Sequence, residues 1–257
     1  MGYANYHARI RFSDDGSVWL LRVPRITSSI AQSLSEYLIR SEYATLKFLE
    51  TTGVPAPRAC DYGLASDENN KGPQGKRFAD VKDKERVWNG LADILIGIQR
   101  HPLSKAGSLL PGSVPSEPIV SAVASDRFLV LSPSGPFGTA SDYYSSLVEQ
   151  NMVLIADGQL FTFFPVNAYL VFSFLKSQIQ ALAVNLNHDS SAATEQFYIK
   201  HVDDKGDHLM VDDELNITGI IDWQIASVVP ASEAFRPSLV TAEMSDNLQW
   251  RVVLDDS

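Results

Sequence analysis

Residues 197–223, FYIKHVDDKGDHLMVDDELNITGIIDW, form the stretch that decides the fold. Three short runs within it are apolar or alternating and rich in strand-forming residues, so we predict β-strands at 197–201, 209–211 and 217–221. The two connections between them are polar, and Gly206 gives the first one a flexible point. A unit of this size brings the first connection close to the end of the last strand.

Ionisable residues are concentrated at both of these places. We expect Asp203, in the first connection, and Asp222, at the end of the last strand, to face one pocket. Asp222 ends an apolar run and precedes Trp223, so we predict that its carboxylate is partly buried. A buried carboxylate stays charged only beside a cation or several hydrogen-bond donors. A metal ion would supply what Asp222 needs.

The order of His201, Asp203, Lys205, His208 and Asp222 resembles the catalytic core of the protein-kinase-like phosphotransferases. In the kinase signature H-R-D-L-x-x-x-N the Asp is the base and the Asn binds metal, and a further Asp binds metal in D-F-G. With H-x-D and I-D-W in these places, the stretch is similar to the aminoglycoside phosphotransferase family. It closely resembles a fungal branch of that family whose members are mostly uncharacterised.

The resemblance implies a role for each residue. Asp203 would be the catalytic base, and Lys205 would neutralise charge on the transferring phosphoryl group. Asp222 would hold Mg²⁺ together with His208, which stands where the family has Asn, or with the neighbouring Asp207. Because Mg²⁺ prefers oxygen ligands, the choice between those two stays open. ATP and Mg²⁺ are the implied cofactors. His201, in contrast, is expected to fix the loop through hydrogen bonds.

The N-terminal residues would supply the nucleotide side. Runs at 7–12 and 18–23 predict a β-hairpin, and 33–52 predicts an amphipathic helix. Glu42 falls on the apolar stripe of that helix, where a carboxylate normally needs a partner. The resemblance implies that Arg22 contacts the phosphates and is held by Glu42.

The residues alone leave a plainer interpretation of this pair open. Arg22 could be an edge-strand residue that points to solvent. Glu42 could lie at the helix edge and pair with Arg40 or Lys47 on the same helix.

Local patterns predict the remaining elements. We expect a strand at 59–63, a surface connection at 102–125, and a short strand at 128–131. Helices are predicted at 83–100, 141–155 and 168–184. Six aromatic residues are expected to pack in the interior, since core packing is their commonest role: Phe161, Phe163, Phe164, Tyr169, Phe172 and Phe174.

The predicted fold is α+β, a protein-kinase-like fold of two lobes. Residues 1–80 would form an incomplete, β-rich N-terminal lobe, and 81–257 a mainly helical, shortened C-terminal lobe that contains the catalytic β-hairpin. The polar run 64–80 stands where the family would have a strand and an adenine-binding hinge. Residues 2–5 resemble only the tail of a glycine-rich phosphate loop.

The composition of the chain limits the classes of partner that we expect. A net charge of −10 argues against nonspecific binding to nucleic acid or to an anionic membrane, since phosphate contacts need clustered Lys and Arg. The single cysteine, Cys60, excludes an internal disulfide and favours a reducing compartment. Neither a signal peptide nor a membrane span is predicted, so we expect a cytoplasmic location.

Three functions are consistent with these observations. The first is an ATP-dependent phosphotransferase that moves the γ-phosphoryl group to a hydroxyl of a small molecule. The second is a catalytically impaired kinase-like protein or fragment that acts as a binding module, which the incomplete hinge and phosphate loop would favour. The third is a metal-dependent hydrolase, since His201, Asp203, Asp207 and His208 offer nitrogen and oxygen ligands close together.

Overall fold

A computed structural model of the chain describes residues 5–11, 18–24, 32–62, 84–114, 117–123, 134–186, 195–202, 208–212 and 216–236. Several predictions fall elsewhere. The strand predicted at 128–131 and the predicted roles of Asp203, Lys205 and Asp207 lie outside the described residues.

The N-terminal elements follow the predicted pattern. Strands β1 (Asn5–Arg11) and β2 (Val18–Pro24) pair in antiparallel register, with His7 opposite Arg22. Helix α1 (Gln32–Leu49) follows. Its buried face repeats every three or four residues, as an amphipathic helix requires, and comprises Leu38, Ser41, Ala44, Thr45, Phe48 and Leu49. The β-hairpin and the first helix are therefore confirmed.

Three further helices also match the prediction: α2 (Lys84–Gln99), α3 (Ala140–Ala156) and α4 (Pro165–Leu186). Thr139 caps α3, since its hydroxyl accepts from the Asp142 N–H at 3.1 Å. Helices α3 and α4 pack against each other, and Lys176 lies 2.7 Å from Glu149 across that contact.

Two predictions about the middle of the chain are wrong. The expected surface connection contains an antiparallel pair, β3 (Ser108–Val114) and β4 (Glu117–Ser121), and Leu109 on β3 is fully buried. Prolines and a bulge interrupt this pair, which hides its periodicity in the sequence. Residues 59–62 form no strand. The Ala59 N–H donates instead to the carboxylate of Glu50, at 3.1 Å.

The predicted packing of the aromatic residues is also wrong. Phe161, Phe163, Phe164, Tyr169 and Phe174 are exposed, and Phe163 retains 91% of its accessible surface. Phe172 is half-buried, with its ring centroid 6.0 Å from that of Phe161. This end of the α3–α4 pair therefore presents apolar side chains to solvent.

The deciding stretch folds into three strands as predicted, and a fourth strand joins them. Strand β5 (Phe197–Lys200) pairs antiparallel with β8 (Ser227–Pro230), which the sequence analysis missed. Strands β6 (Leu209–Val211) and β7 (Ile217–Ile220) form a hairpin. Between β7 and β8 lies a short 3-10 helix, Trp223–Ile225, and a four-residue helix α5 (Ala231–Ala234) follows β8.

One hydrophobic cluster holds these parts together. It joins Phe48 and Leu49 of α1 to Ile199 of β5, Val228 of β8 and Trp223. The core thus spans residues assigned to both predicted lobes, in a mixed α+β fold, while the division into two lobes stays a prediction. Among the described helices, none combines the length and apolar character needed to cross a bilayer.

Candidate functional site

The β6–β7 hairpin brings His208 opposite the residue that precedes Asp222. Leu209 pairs with Ile220, and the Ile221 N–H donates to the His208 carbonyl at 2.9 Å. The strand ladder therefore continues one step past each named strand. As a result, the N–H of Ile221, the residue before Asp222, is hydrogen-bonded to the residue that precedes β6.

His201, just after β5, holds the other side of the same residue. Its Nε2 lies 2.9 Å from the Ile221 carbonyl oxygen. Because a carbonyl can only accept, Nε2 carries the proton and donates. This hydrogen bond ties the beginning of the 201–208 connection to the end of β7, which confirms the expected structural role of His201. Both polar groups of Ile221 are thereby fixed.

Aromatic packing reinforces this junction. The His201 and His208 rings are stacked, with centroids 4.1 Å apart and planes 14° from parallel. The Trp223 ring meets His201 edge-on at 4.9 Å, and its Nε1–H donates to the Ile220 carbonyl at 2.8 Å. All three rings are buried. We call His201, His208 and Trp223 the three-ring cluster, and it fixes both chain segments that approach Asp222.

Asp222 itself has a left-handed backbone, with φ 67° and ψ 42°. A non-glycine residue held in this region costs about 1–3 kcal/mol, and such residues are concentrated at functional sites, although Asp tolerates the region better than most. Its side chain is exposed, so the predicted partial burial is wrong. The left-handed turn gives the interior position to Trp223, which is 2% exposed, and leaves Asp222 at the surface.

The exposed carboxylate of Asp222 fits a Mg²⁺ ion, which proteins usually bind through one or two carboxylates plus water and substrate phosphates. His208 fits less well, because its imidazole is 4% exposed and stacked on another ring. Among the described residues no three His, Cys, Asp or Glu side chains group closely enough to hold a metal ion. A second ligand from Asp207 or His208 stays a prediction.

The stacked histidines argue against a zinc hydrolase. A metal bound by imidazole lies near the ring plane at about 2.0–2.1 Å from the nitrogen. The planes of His201 and His208 are almost parallel and separated by stacking, so the two rings cannot direct nitrogens at one ion. The pair therefore acts as packing rather than as a shared metal site.

Comparison of the chain with known protein families and with curated proteins gave no match. The kinase-like interpretation of residues 197–223 therefore stays a prediction from the residues themselves.

Helix α1, which carries Glu42, packs against the 3-10 helix that begins directly after Asp222. Glu42 is half-buried, at the edge of the buried face of α1. Lys47, one of the alternative partners, lies 3.2 Å from Glu50. The side chain of Arg22 lies outside what the structure describes, so its pairing with Glu42 stays a prediction.

Sequence reasoning missed a buried polar contact behind the site. Lys200, the last residue of β5, is buried, and its Nζ donates to the Glu233 carbonyl on α5 at 3.1 Å. A lysine at the end of an apolar strand was the only sequence signal for the Lys200 contact.

The α3 residue Tyr143 lies close to the same glutamate. Burial raises the pKa of Tyr143, and the nearby Glu233 adds to the effect. Tyr143 therefore stays neutral.

We expect His201→Phe to lower the free energy of unfolding by about 1–3 kcal/mol, since a phenyl ring preserves the stacking but leaves the Ile221 carbonyl without its donor. Urea denaturation measures this. The matched control is His101→Phe, because the His101 ring packs edge-on against Phe48 at 6.3 Å, and its change should stay within about 0.5 kcal/mol. Equal stabilities of the two variants would show that the His201 hydrogen bond contributes nothing.

Proposed function

We propose that this protein is an ATP- and Mg²⁺-dependent phosphotransferase of the protein-kinase-like, two-lobed kind, acting on a hydroxyl group of a small molecule. One observation carries the proposal. The 2.9 Å hydrogen bond from His201 to Ile221 ties the loop that leads to Asp203 to the residue that precedes Asp222. Phosphoryl transfer needs such a pair of acids, one at the attacking hydroxyl and one at the metal that binds the phosphates.

Chain length supports the convergence of these acids. Asp203 follows His201 by two residues in the sequence, a reach of about 7 Å at most. Asp222 directly follows Ile221, to which His201 is bonded. Each acid is therefore at most two residues from one of the two partners in this hydrogen bond.

Each residue has a defined part in the proposed reaction. Asp203 accepts the proton of the acceptor hydroxyl while the oxygen of that hydroxyl forms a bond to the γ-phosphorus. The bond from that phosphorus to the bridging oxygen breaks, and ADP leaves with the electron pair. Lys205 offsets the charge on the transferring group, and Asp222 holds Mg²⁺ with Asp207 or His208. When bound, Mg²⁺ neutralises charge on the phosphates.

The position of α1 adds independent support. In kinases a helix glutamate pairs with a basic strand residue that contacts the phosphates. Here the helix that carries Glu42 packs on the 3-10 helix immediately after Asp222. This arrangement suits a role for Glu42 in holding Arg22 near the phosphates.

Nucleotide binding with and without Mg²⁺ tests the proposal. We expect ATP to raise the unfolding temperature only when Mg²⁺ is present, since a ligand at 100 times its Kd stabilises a protein by about 2.7 kcal/mol. Asp203→Ala should keep this binding and lose about 10²- to 10⁴-fold in ADP formation with hydroxyl acceptors. Absence of any response to Mg²⁺ and ATP would refute the proposal. Binding without turnover in the wild type would instead favour the kinase-like binding module.

A further inference from the structure

Helix α4 carries a continuous apolar surface. Val166, Leu170 and Phe174 recur at every fourth position, so they lie in one stripe along the helix, and all three are exposed. Exposed Val171 flanks the stripe, and exposed Phe163 and Phe164 extend it at the N-terminal end of the helix. We call these residues the apolar face of α4.

This face carries no charge. On the opposite side of α4, half-buried Phe172, Lys176 and Ile179 lie where α4 packs on α3. Lys176 is the only charged residue of the helix, and its Nζ is 2.7 Å from Glu149 of α3. The exposed side of α4 therefore offers no charged side chain to a binding partner.

The apolar face is large enough to form a protein–protein interface. A fully exposed aromatic side chain presents roughly 150–250 Å², so the face, with Phe163 at 91% and Leu170 at 63% exposure, presents on the order of 800 Å². The largest apolar patch of a typical monomer is roughly 300–600 Å². A stable interface of standard size buries about 800 Å² on each partner.

We propose that the apolar face of α4 pairs with the same face of a second copy of this chain. A chain with a net charge of −10 repels its copy, and contact through a surface without charge brings no like charges together. The stripe is also self-complementary. In an antiparallel pair with Leu170 on the two-fold axis, the smaller Val166 of each copy meets the larger Phe174 of the other.

The same observations disfavour a lipid surface as the occupant. Helices that lie in a membrane interface carry a polar face rich in Lys and Arg beside the apolar one. Helix α4 has Lys176 alone, and that side chain is engaged with Glu149. The pairing with a second copy goes beyond the proposed phosphotransfer and does not depend on it.

Sedimentation of the full chain tests the pairing. We expect a mass twice the 28.3 kDa of one chain. Leu170→Asp should weaken association at least about 100-fold, since each copy then places a charge at the centre of the interface. Asn89→Asp is the matched control, because it adds the same charge to an exposed position on a different helix, α2, and it should leave the dimer intact.

Crosslinking gives a second measurement that does not depend on the folding of Leu170→Asp. In a Cys60→Ser background, Leu170→Cys should form a disulfide-linked dimer under mild oxidation, and Ser173→Cys should not. A monomeric wild type overturns the proposal. If that monomer is destabilised by Leu170→Asp, another segment of the same chain covers the face; if it is not, the face is open. A dimer that persists in Leu170→Asp, or equal crosslinking of the two cysteine variants, also overturns it.

Discussion

Trp223→Ala is expected to lower the free energy of unfolding by about 3–5 kcal/mol, the usual cost of truncating a fully buried tryptophan. The Trp223 side chain is 2% exposed and belongs to the cluster that joins α1 to β5 and β8. Truncation leaves a cavity next to α1, removes the donor to the Ile220 carbonyl, and takes away the edge contact with His201. Three losses at one junction make this the most destabilising single truncation that the site predicts.

Urea denaturation measures this effect, and two variants calibrate it. Trp19→Ala removes the same side chain where it is 46% exposed, and should cost less than about 1 kcal/mol. Trp223→Phe keeps most of the volume but removes the N–H and part of the indole ring, so we expect a value between those of the wild type and Trp223→Ala. If Trp223→Ala were as stable as Trp19→Ala, the three-ring cluster would not be part of the core.

Local patterning was sufficient for the elements whose residues carry their own signal. Helix α1 was predicted because Leu38 and Leu49 fall on one stripe, and both are buried. Strands β5, β6 and β7 were predicted because short β-branched and apolar runs alternate with polar turns. The backbone hydrogen bond expected of His201, which came with the family resemblance, is also present.

Features that depend on distant partners escaped the same reasoning. Strand β8 forms because Ser227–Pro230 pairs with β5, about thirty residues earlier in the chain, and nothing local predicts that register. The β3–β4 pair was hidden by its prolines.

The exposure of Asp222 was missed for a different reason. It follows from one backbone dihedral angle, because the left-handed turn at Asp222 decides which of two adjacent side chains enters the core. The apolar neighbours of Asp222 in the sequence carry no information about that backbone angle. For the aromatic residues between 161 and 174 the composition was right for a core, but packing on α3 covers only one side of α4.

Asp222→Asn is expected to abolish Mg²⁺-dependent ATP binding and to reduce phosphotransfer about a thousandfold or more, since the metal supplies several kcal/mol and each 1.4 kcal/mol is tenfold. Asparagine keeps the size of the side chain and tolerates the left-handed backbone, so stability should change little. Calorimetric titration of ATP with and without Mg²⁺ measures the binding. Asp157→Asn, which neutralises an exposed acid at the end of α3, is the control and should bind like the wild type.

Substitution by Gly and Ala separates the backbone strain at Asp222 from its chemistry. With φ at 67°, glycine relieves strain and alanine retains it, so Asp222→Gly should be more stable than Asp222→Ala by about 1 kcal/mol. Both variants lack the carboxylate, and both should fail to bind Mg²⁺ and ATP. If Asp222→Gly bound the nucleotide as the wild type does, the left-handed turn would serve only to place Trp223 in the core. Loss of binding in both, with stability rising in one and falling in the other, would show that the protein maintains a strained backbone in order to present this carboxylate.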